Sequence, residues 1–542
     1  MSLAKSQSAS EARVEHVAEP EHDIHNAKGW LNWPTFCYMV IIGLSMGLYG
    51  YDNNFAAPLV QLPLFIQKYQ GPGLTFTLSD MLPRQARNLN LLTPVPLVGA
   101  AIGTFIAPAG MRRLGRKKTM IAAYGLLCTP GSFLQLFAPN MAALVAGRFW
   151  NCAQTNPCEE DSQDTLANRL NADVGISILT TTAPLYLAEF VPADFRGRAI
   201  DLCFAGVAAV GVLATTVVWG TEKIKDERQY MIPLAIQAAV PVGLCLLTFL
   251  IPESPVWDIQ HGRLDSARRT LLVLRNNRAD IVDAEISMYQ AADERTQASN
   301  FWHILDRENL QRTLSAGTIL SASQVGGQIL ILTYATVILV ASGVGNPFEI
   351  TVIISSLQFL GTVVGPFLVD KAGRRPVALV GFTILLLLNL AAGSLGAAGL
   401  TSETQKLALA AVFILFGFFN AVSFQSLCFV LPTEIASPAL REPTMAWSVF
   451  WSYTTAVVTT FAVPRIMSAD AANLGVKTAY VFAGCVFVTT IWAYFYLPET
   501  MGRTVAEIDE MYRIGLPMRK WRGYSCESSN ITNSEKADLA DV

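Results

Sequence analysis

A basic turn containing a glycine occurs twice along this chain, once in each half. The first copy reads Arg112-Arg113-Leu114-Gly115-Arg116-Lys117 and the second Asp370-Lys371-Ala372-Gly373-Arg374-Arg375. Each joins two long apolar segments. A short cationic loop between apolar segments is what a tight turn between two membrane helices requires, and its cations place it on the cytoplasmic face. The recurrence predicts a doubled membrane unit, hence a two-lobed carrier that rocks around a site at mid-membrane depth rather than a channel.

Composition agrees with a membrane protein. Apolar residues make up 52 % and charged residues 15 % of the 542, against about 25 % charged in a soluble domain, and the mean hydropathy is +0.38. The apolar runs are long enough to cross a bilayer, which takes roughly 20 residues per helix. Six candidate spans fall near 34–58, 92–110, 118–138, 141–150 continuing at 173–190, 199–220 and 231–251. Six more fall near 314–340, 348–369, 376–400, 406–431, 444–466 and 477–497. The predicted organisation is a polar tail 1–33, a six-helix lobe 34–251, an amphipathic helical linker 252–312, a second six-helix lobe 313–500 and a tail 501–542. The fold class is thus an all-α membrane protein of twelve transmembrane helices in two pseudo-symmetric lobes.

The polar first 29 residues show no basic start followed by a short apolar stretch, so no cleaved signal peptide is expected and the N-terminus is placed in the cytoplasm. An even number of spans returns the C-terminus to the same side, where the sequon Asn530-Ile531-Thr532 would stay unglycosylated. A net charge of −3 gives no reason to expect nucleic acid as a partner. The nine cysteines lie mostly inside apolar runs without metal-ligand spacing and read as buried hydrophobes. With no nucleophile–base arrangement and no glycine-rich phosphate loop, an enzyme, a metal or an organic cofactor is not expected.

Several phrases resemble the sugar porter family of the major facilitator superfamily, nearest in flavour to fungal α-glucoside and hexose permeases. They are Gly50-Tyr51-Asp52, Gly147-Arg148, Pro184-Leu185-Tyr186-Leu187-Ala188-Glu189, Arg196-Gly197-Arg198, Pro252-Glu253-Ser254-Pro255 and Pro498-Glu499-Thr500 with Gly502-Arg503-Thr504. All stand in family order, and the resemblance covers roughly residues 35 to 515. It implies alternating access between two six-helix lobes, a monomer in the plasma membrane, a sugar as substrate and protons as the coupling ion. A facilitator without proton coupling, a carrier of a polyol or cyclic acid, and a non-transporting nutrient sensor are the alternatives.

A carboxylate at mid-membrane depth is costly unless paired or facing a wet cavity, so Asp52 is a functional candidate with Arg148 as its partner. Protonating Asp52 would release Arg148, and the two states can favour different lobe arrangements. A permanent structural ion pair is the other reading. The resemblance further implies a cytoplasmic gate of interlobe salt bridges that holds the outward-facing state closed, built from Arg113, Arg116, Glu189, Arg198 and Glu253 in the first half. Arg374, Arg375, Glu434 and Glu499 are the second-half members. Arg112 stands where the family carries an acid, which predicts a weaker or differently wired first-half latch.

For the substrate, the resemblance points to Gln324 and Gln328 in span 7, Gln358 in span 8, Phe429 in span 10, and Ser452 and Tyr453 in span 11. Unpaired amides are expensive inside a membrane bundle, so the three glutamines hold either helices or substrate. One stretch breaks the pattern. The separation of Arg148 from Pro184 exceeds the family spacing by about the length of 151–171, which includes Cys158-Glu159-Glu160-Asp161. Such a run does not sit in hydrocarbon. It is a distorting loop, a regulatory insertion or a retained intron translated in frame; deleting it restores the spacing, which favours the last.

Overall fold

The computed structural model describes residues 32–70, 94–139, 143–144, 174–191, 196–296, 301–307, 309–428, 430–437, 440–467, 473–503 and 505–524. Among them the regular structure is entirely helical. Helices are the simplest way to satisfy every backbone N–H and C=O within lipid. In the first lobe the spans are α1 (Trp33–Val60), α2 (Pro94–Leu114), α3, α4 (Val174–Phe190), α5 (Arg196–Thr221) and α6 (Arg228–Thr248). Span α3 is composite: Arg116–Ala122, a π-helical stretch Ala123–Cys128, and Thr129–Leu136.

In the second lobe α7 begins as Leu310–Val325 and continues, after a break, through a π stretch Ile329–Thr333 and Ala335–Ala341. It is followed by α8 (Pro347–Ala372), α9 (Arg374–Ala397), α10, α11 (Arg441–Met467) and α12 (Ala479–Tyr496). Span α10 runs Glu403–Asn420 and then, after a third π stretch Ala421–Gln425, resumes as Ser426–Cys428 and Val430–Ile435. The protein is a multi-pass membrane protein of the twelve-helix, two-lobed class that the doubled turn predicts.

Local sequence explains where helices start. Asn32 caps α1 by accepting a hydrogen bond from the Thr35 N–H at 2.9 Å, with a proline in the first turn. Ser402 caps α10 in a reciprocal box with Gln405. The outer faces carry large exposed apolar side chains, among them Leu126, Leu246, Phe367, Leu387 and Val488. On a soluble protein such a girdle would be a liability; here it is the lipid-facing surface.

The lobes repeat one another in their packing. Helix α1 lies on α5 as α7 lies on α11, α2 on α4 as α8 on α10, and α3 on α6 as α9 on α12. The lobes meet where α5 packs on α8 and α11 on α2. Four short helices connect them: Pro255–Gln260, Leu264–Leu274, Ala279–Thr296 and the 3₁₀ turn Phe301–Leu305. Arg275 fixes this linker beneath the first lobe, its guanidinium pairing with Glu285 at 2.8 Å and donating to the Phe190 carbonyl at 2.9 Å.

The two ends of the molecule differ in how their cores join. Away from the linker, Tyr51, Phe55, Val60, Leu62 and Phe65 of the first lobe belong to one apolar cluster with Leu330, Ile331, Tyr334 and Phe348 of the second. On the linker side the first lobe closes a core of its own around Ile42, Met46, Tyr124, Tyr186 and Phe190. The lobes therefore share apolar packing at the end far from the linker.

Candidate functional site

Gly50, Tyr51 and Asp52 lie on α1 where it crosses α5. A Cβ on Gly50 would stand 2.1 Å from the Val207 carbonyl oxygen, so only glycine permits this approach. The close crossing keeps Tyr51 and Asp52 at 1 % and 5 % exposure. The Tyr51 hydroxyl donates to the Pro233 carbonyl of α6 at 2.9 Å. Asp52 accepts at Oδ1 from Gln237 Nε2 of α6, at 2.5 Å. The other end of that amide, Oε1, is buried with no hydrogen-bond partner among the described residues. Arg148, the expected partner of Asp52, lies outside the described residues.

Gln237 was not among the positions singled out from the sequence. One amide in an apolar run forms no motif, and the signal that could have found it is the cost of burying a primary amide between Pro233 and Pro241 without a partner.

In the second lobe the expected substrate residues behave differently from one another. Gln324, Gln328 and Gln358 are partly exposed, and their side-chain amides form no hydrogen bond with a described residue. The break between Gln324 and Gln328 is a left-handed Gly327, φ +98°, followed by the π stretch. Single π turns collect at functional positions because they re-aim side chains within a helix. Asn389 of α9 holds this break, donating to the Gly326 carbonyl at 3.2 Å. One turn beyond Gln358, the Thr362 hydroxyl donates to Gln425 Oε1 at 3.2 Å, tying α8 to the π stretch of α10. Ser452 spends its hydroxyl on the Leu320 carbonyl at 3.1 Å, so α11 is pinned to α7. The Tyr453 hydroxyl stands 3.5 Å from Thr180 Oγ1 on α4, a polar contact between the lobes. Phe429 lies outside the described residues, as does the stretch 151–171.

The charges near the two repeated turns form one arrangement, made twice. In the first lobe Arg116 binds Glu189 at 2.7 Å through Nη2 and 3.1 Å through Nε, and the Ser254 hydroxyl donates to the other carboxylate oxygen. In the second, Arg374 binds Glu434 at 2.9 Å and the Thr500 hydroxyl donates to Glu434 at 2.5 Å. Glu253 accepts the Lys117 backbone N–H at 3.0 Å. Glu499 likewise accepts those of Arg374 at 3.0 Å and Arg375 at 3.2 Å. These carboxylates satisfy the orphan donors that open α3 and α9. Gly115 and Gly373 make room for them, with φ of +94° and +99°. A Cβ there would come within 2.5 Å of Glu253 and 2.6 Å of Glu499.

In this arrangement Arg116–Glu189 and Arg374–Glu434 each close within one lobe. Arg113 is exposed and forms no ion pair with a described residue. Arg198 lies on α5 with its side chain outside the described residues. Arg112 is accommodated at the exposed C-terminal turn of α2, where a cation suits the helix dipole.

The family model described as "Sugar (and other) transporter" matches residues 36–512. "Sugar transport protein 10" of Arabidopsis thaliana is 25 % identical over 92 % of this chain and 94 % of its own length. "MFS transporter fmqE" of Aspergillus fumigatus is 27 % identical, covering 88 % and 85 %. The "General alpha-glucoside permease" of Saccharomyces cerevisiae is 22 % identical, covering 93 % and 79 %. Among solved structures, the xylose transporter XylE from E. coli in a partially occluded inward open conformation aligns with a TM-score of 0.67 at 18 % identity, over 87 % of this chain and 99 % of its own. The proton:xylose symporter XylE bound to 6-bromo-6-deoxy-D-glucose aligns with a TM-score of 0.68, also at 18 % identity, over 88 % and 99 %. At that identity the likeness speaks for the fold.

Proposed function

Because the chain belongs to the Sugar (and other) transporter family, we propose that it carries a sugar across the plasma membrane by alternating access, with protons as the coupling ion at Asp52. The observation that carries this reading is a carboxylate 5 % exposed inside the first lobe, hydrogen-bonded by the Gln237 amide. A buried ionised carboxylate is expensive, so its protonation state and the lobe arrangement are linked. Gln237 can serve either state: its Nε2 donates to the carboxylate, and its unpartnered Oε1 would accept from the acid once the amide turns over. Arg148 is the cation that Asp52 would release.

Sugar hydroxyls need donors and acceptors that the protein has not already used, and Gln324, Gln328 and Gln358 offer these. The side bearing the linker and both repeated turns is the cytoplasmic side, because the turns carry the cations. With the lobes packed on one another at the opposite end, this arrangement faces the cytoplasm, and transport follows from rocking each lobe as a unit. A proton-independent facilitator is the second reading, favoured by the short Gln237–Asp52 bond if it holds Asp52 in one state.

Uptake of a panel of labelled mono- and disaccharides in transporter-deficient cells, with external pH recorded, tests the proposal. One sugar accumulating with external alkalinisation supports symport. Uptake without a pH change supports the facilitator, and no uptake of any sugar overturns the assignment of substrate class.

A further inference from the structure

The linker-side end of α12 carries two arginines on one aromatic ring. The Arg375 guanidinium lies 5.8 Å from the centroid of Tyr494, and that of Arg519 lies 5.5 Å from the same centroid and 4.9 Å from Phe495. Two cations brought to one ring repel unless an anion joins them. The nearby carboxylate of Glu499 is occupied by the backbone N–H groups of Arg374, Arg375 and Met501, at 3.0, 3.2 and 3.1 Å. Among the described residues neither arginine has an acidic side-chain partner. Arg375 gives Nη2 to the Tyr494 carbonyl at 2.7 Å, and its buried Nε has no acceptor among the described residues.

Arg519 is not on a loose tail. It belongs to the turn Met518–Gly523, which Trp521, fully buried, anchors through Nε1–H to the Leu516 carbonyl at 3.0 Å. Arg503 clamps the same turn, donating to the Trp521 carbonyl at 2.8 Å. Beside it Tyr494, Phe495 and Tyr496 are 48 %, 46 % and 51 % exposed on the outer wall. Such aromatic residues mark the membrane–water boundary.

We propose that Arg375 and Arg519 bind the headgroup phosphate of an anionic phospholipid in the linker-side leaflet. A guanidinium fork matches phosphate oxygens; exposed Arg519 offers its fork, and Arg375 adds its charge beside the same ring. The exposed ring wall gives the acyl chains a path alongside α12, which a soluble anion would not use. Basic pockets at this depth are the sites at which anionic lipids are recognised.

The test is binding of a fluorescent phosphatidylserine to the full-length protein in phosphatidylcholine nanodiscs. Arg519→Gln, on an exposed side chain whose loss leaves the turn packed, and Arg375→Gln should each weaken binding about five-fold. Arg269→Gln on the linker helix Leu264–Leu274 removes an equal charge and should leave binding unchanged, and inorganic phosphate should not displace the lipid. The proposal is overturned if Arg519→Gln binds as the unmodified protein does, if Arg269→Gln weakens binding equally, or if inorganic phosphate competes.

Discussion

The two repeated turns have the same plan and different exposure. In the first lobe Arg116 and Glu189 are 4 % and 11 % exposed; in the second, Arg374 and Glu434 are 13 % and 27 % exposed. Arg116 gives two donors to Glu189, whereas Arg374 divides its donors between Glu434 and Asp370, the latter at 3.4 Å. The acid that the first half lacks is therefore a competitor in the second half. Replacing it by Arg112 leaves Arg116 with one carboxylate partner among the described contacts, held deeper. What sets the latch is the glycine that admits a capping glutamate, together with the hydroxyl behind the paired glutamate. The charge at the rim of the turn is secondary.

Removing an arginine should separate the two halves most clearly. Arg116→Gln leaves Glu189 buried with a lost cation, a change that costs roughly 3–5 kcal/mol. Arg374→Gln, closer to water, should cost about half of that after solvent screening. Thermal unfolding in one detergent compares them, and a larger loss for Arg374→Gln would break the comparison. Gly115→Ala and Gly373→Ala come next, each about 1–3 kcal/mol for backbone strain, and nearly equal because the φ values and carboxylate distances match. A tolerated alanine at either position would show that the glutamate caps are dispensable.

Ser254→Ala should lower stability by about 1–2 kcal/mol and Thr500→Ala by somewhat less. Ser254 alone also caps a helix, accepting from the Trp257 N–H at 3.2 Å. The smallest effect belongs to the rim: Asp370→Asn and Arg112→Asp should each change stability by less than about 0.5 kcal/mol, as exposed pairs do. A large effect of Arg112→Asp would restore the rim charge to a leading role.

The doubled plan was legible because its signals are local: two cationic turns, apolar runs of span length, and prolines and acids at span ends. The burial of Asp52 followed from its place in an apolar run. The pairing of Arg116 with Glu189 was not legible, since sequence order does not say which carboxylate packing brings beside the turn. Gln237 and Asn389 escaped notice because an isolated amide has no periodicity. The π stretches at Ala123–Cys128, Ile329–Thr333 and Ala421–Gln425 likewise follow no residue pattern. Ser452 has the chemistry of a substrate ligand, yet the packing of α11 on α7 engages its hydroxyl.

The central claim is that the protonation of Asp52 is coupled to movement of the lobes. Purified protein in liposomes, given its sugar, separates two activities: exchange of labelled for unlabelled sugar, and accumulation driven by an imposed pH gradient. In Asp52→Asn, which mimics the protonated state, the account predicts that exchange persists and gradient-driven accumulation is abolished. Accumulation that survives in Asp52→Asn would contradict it.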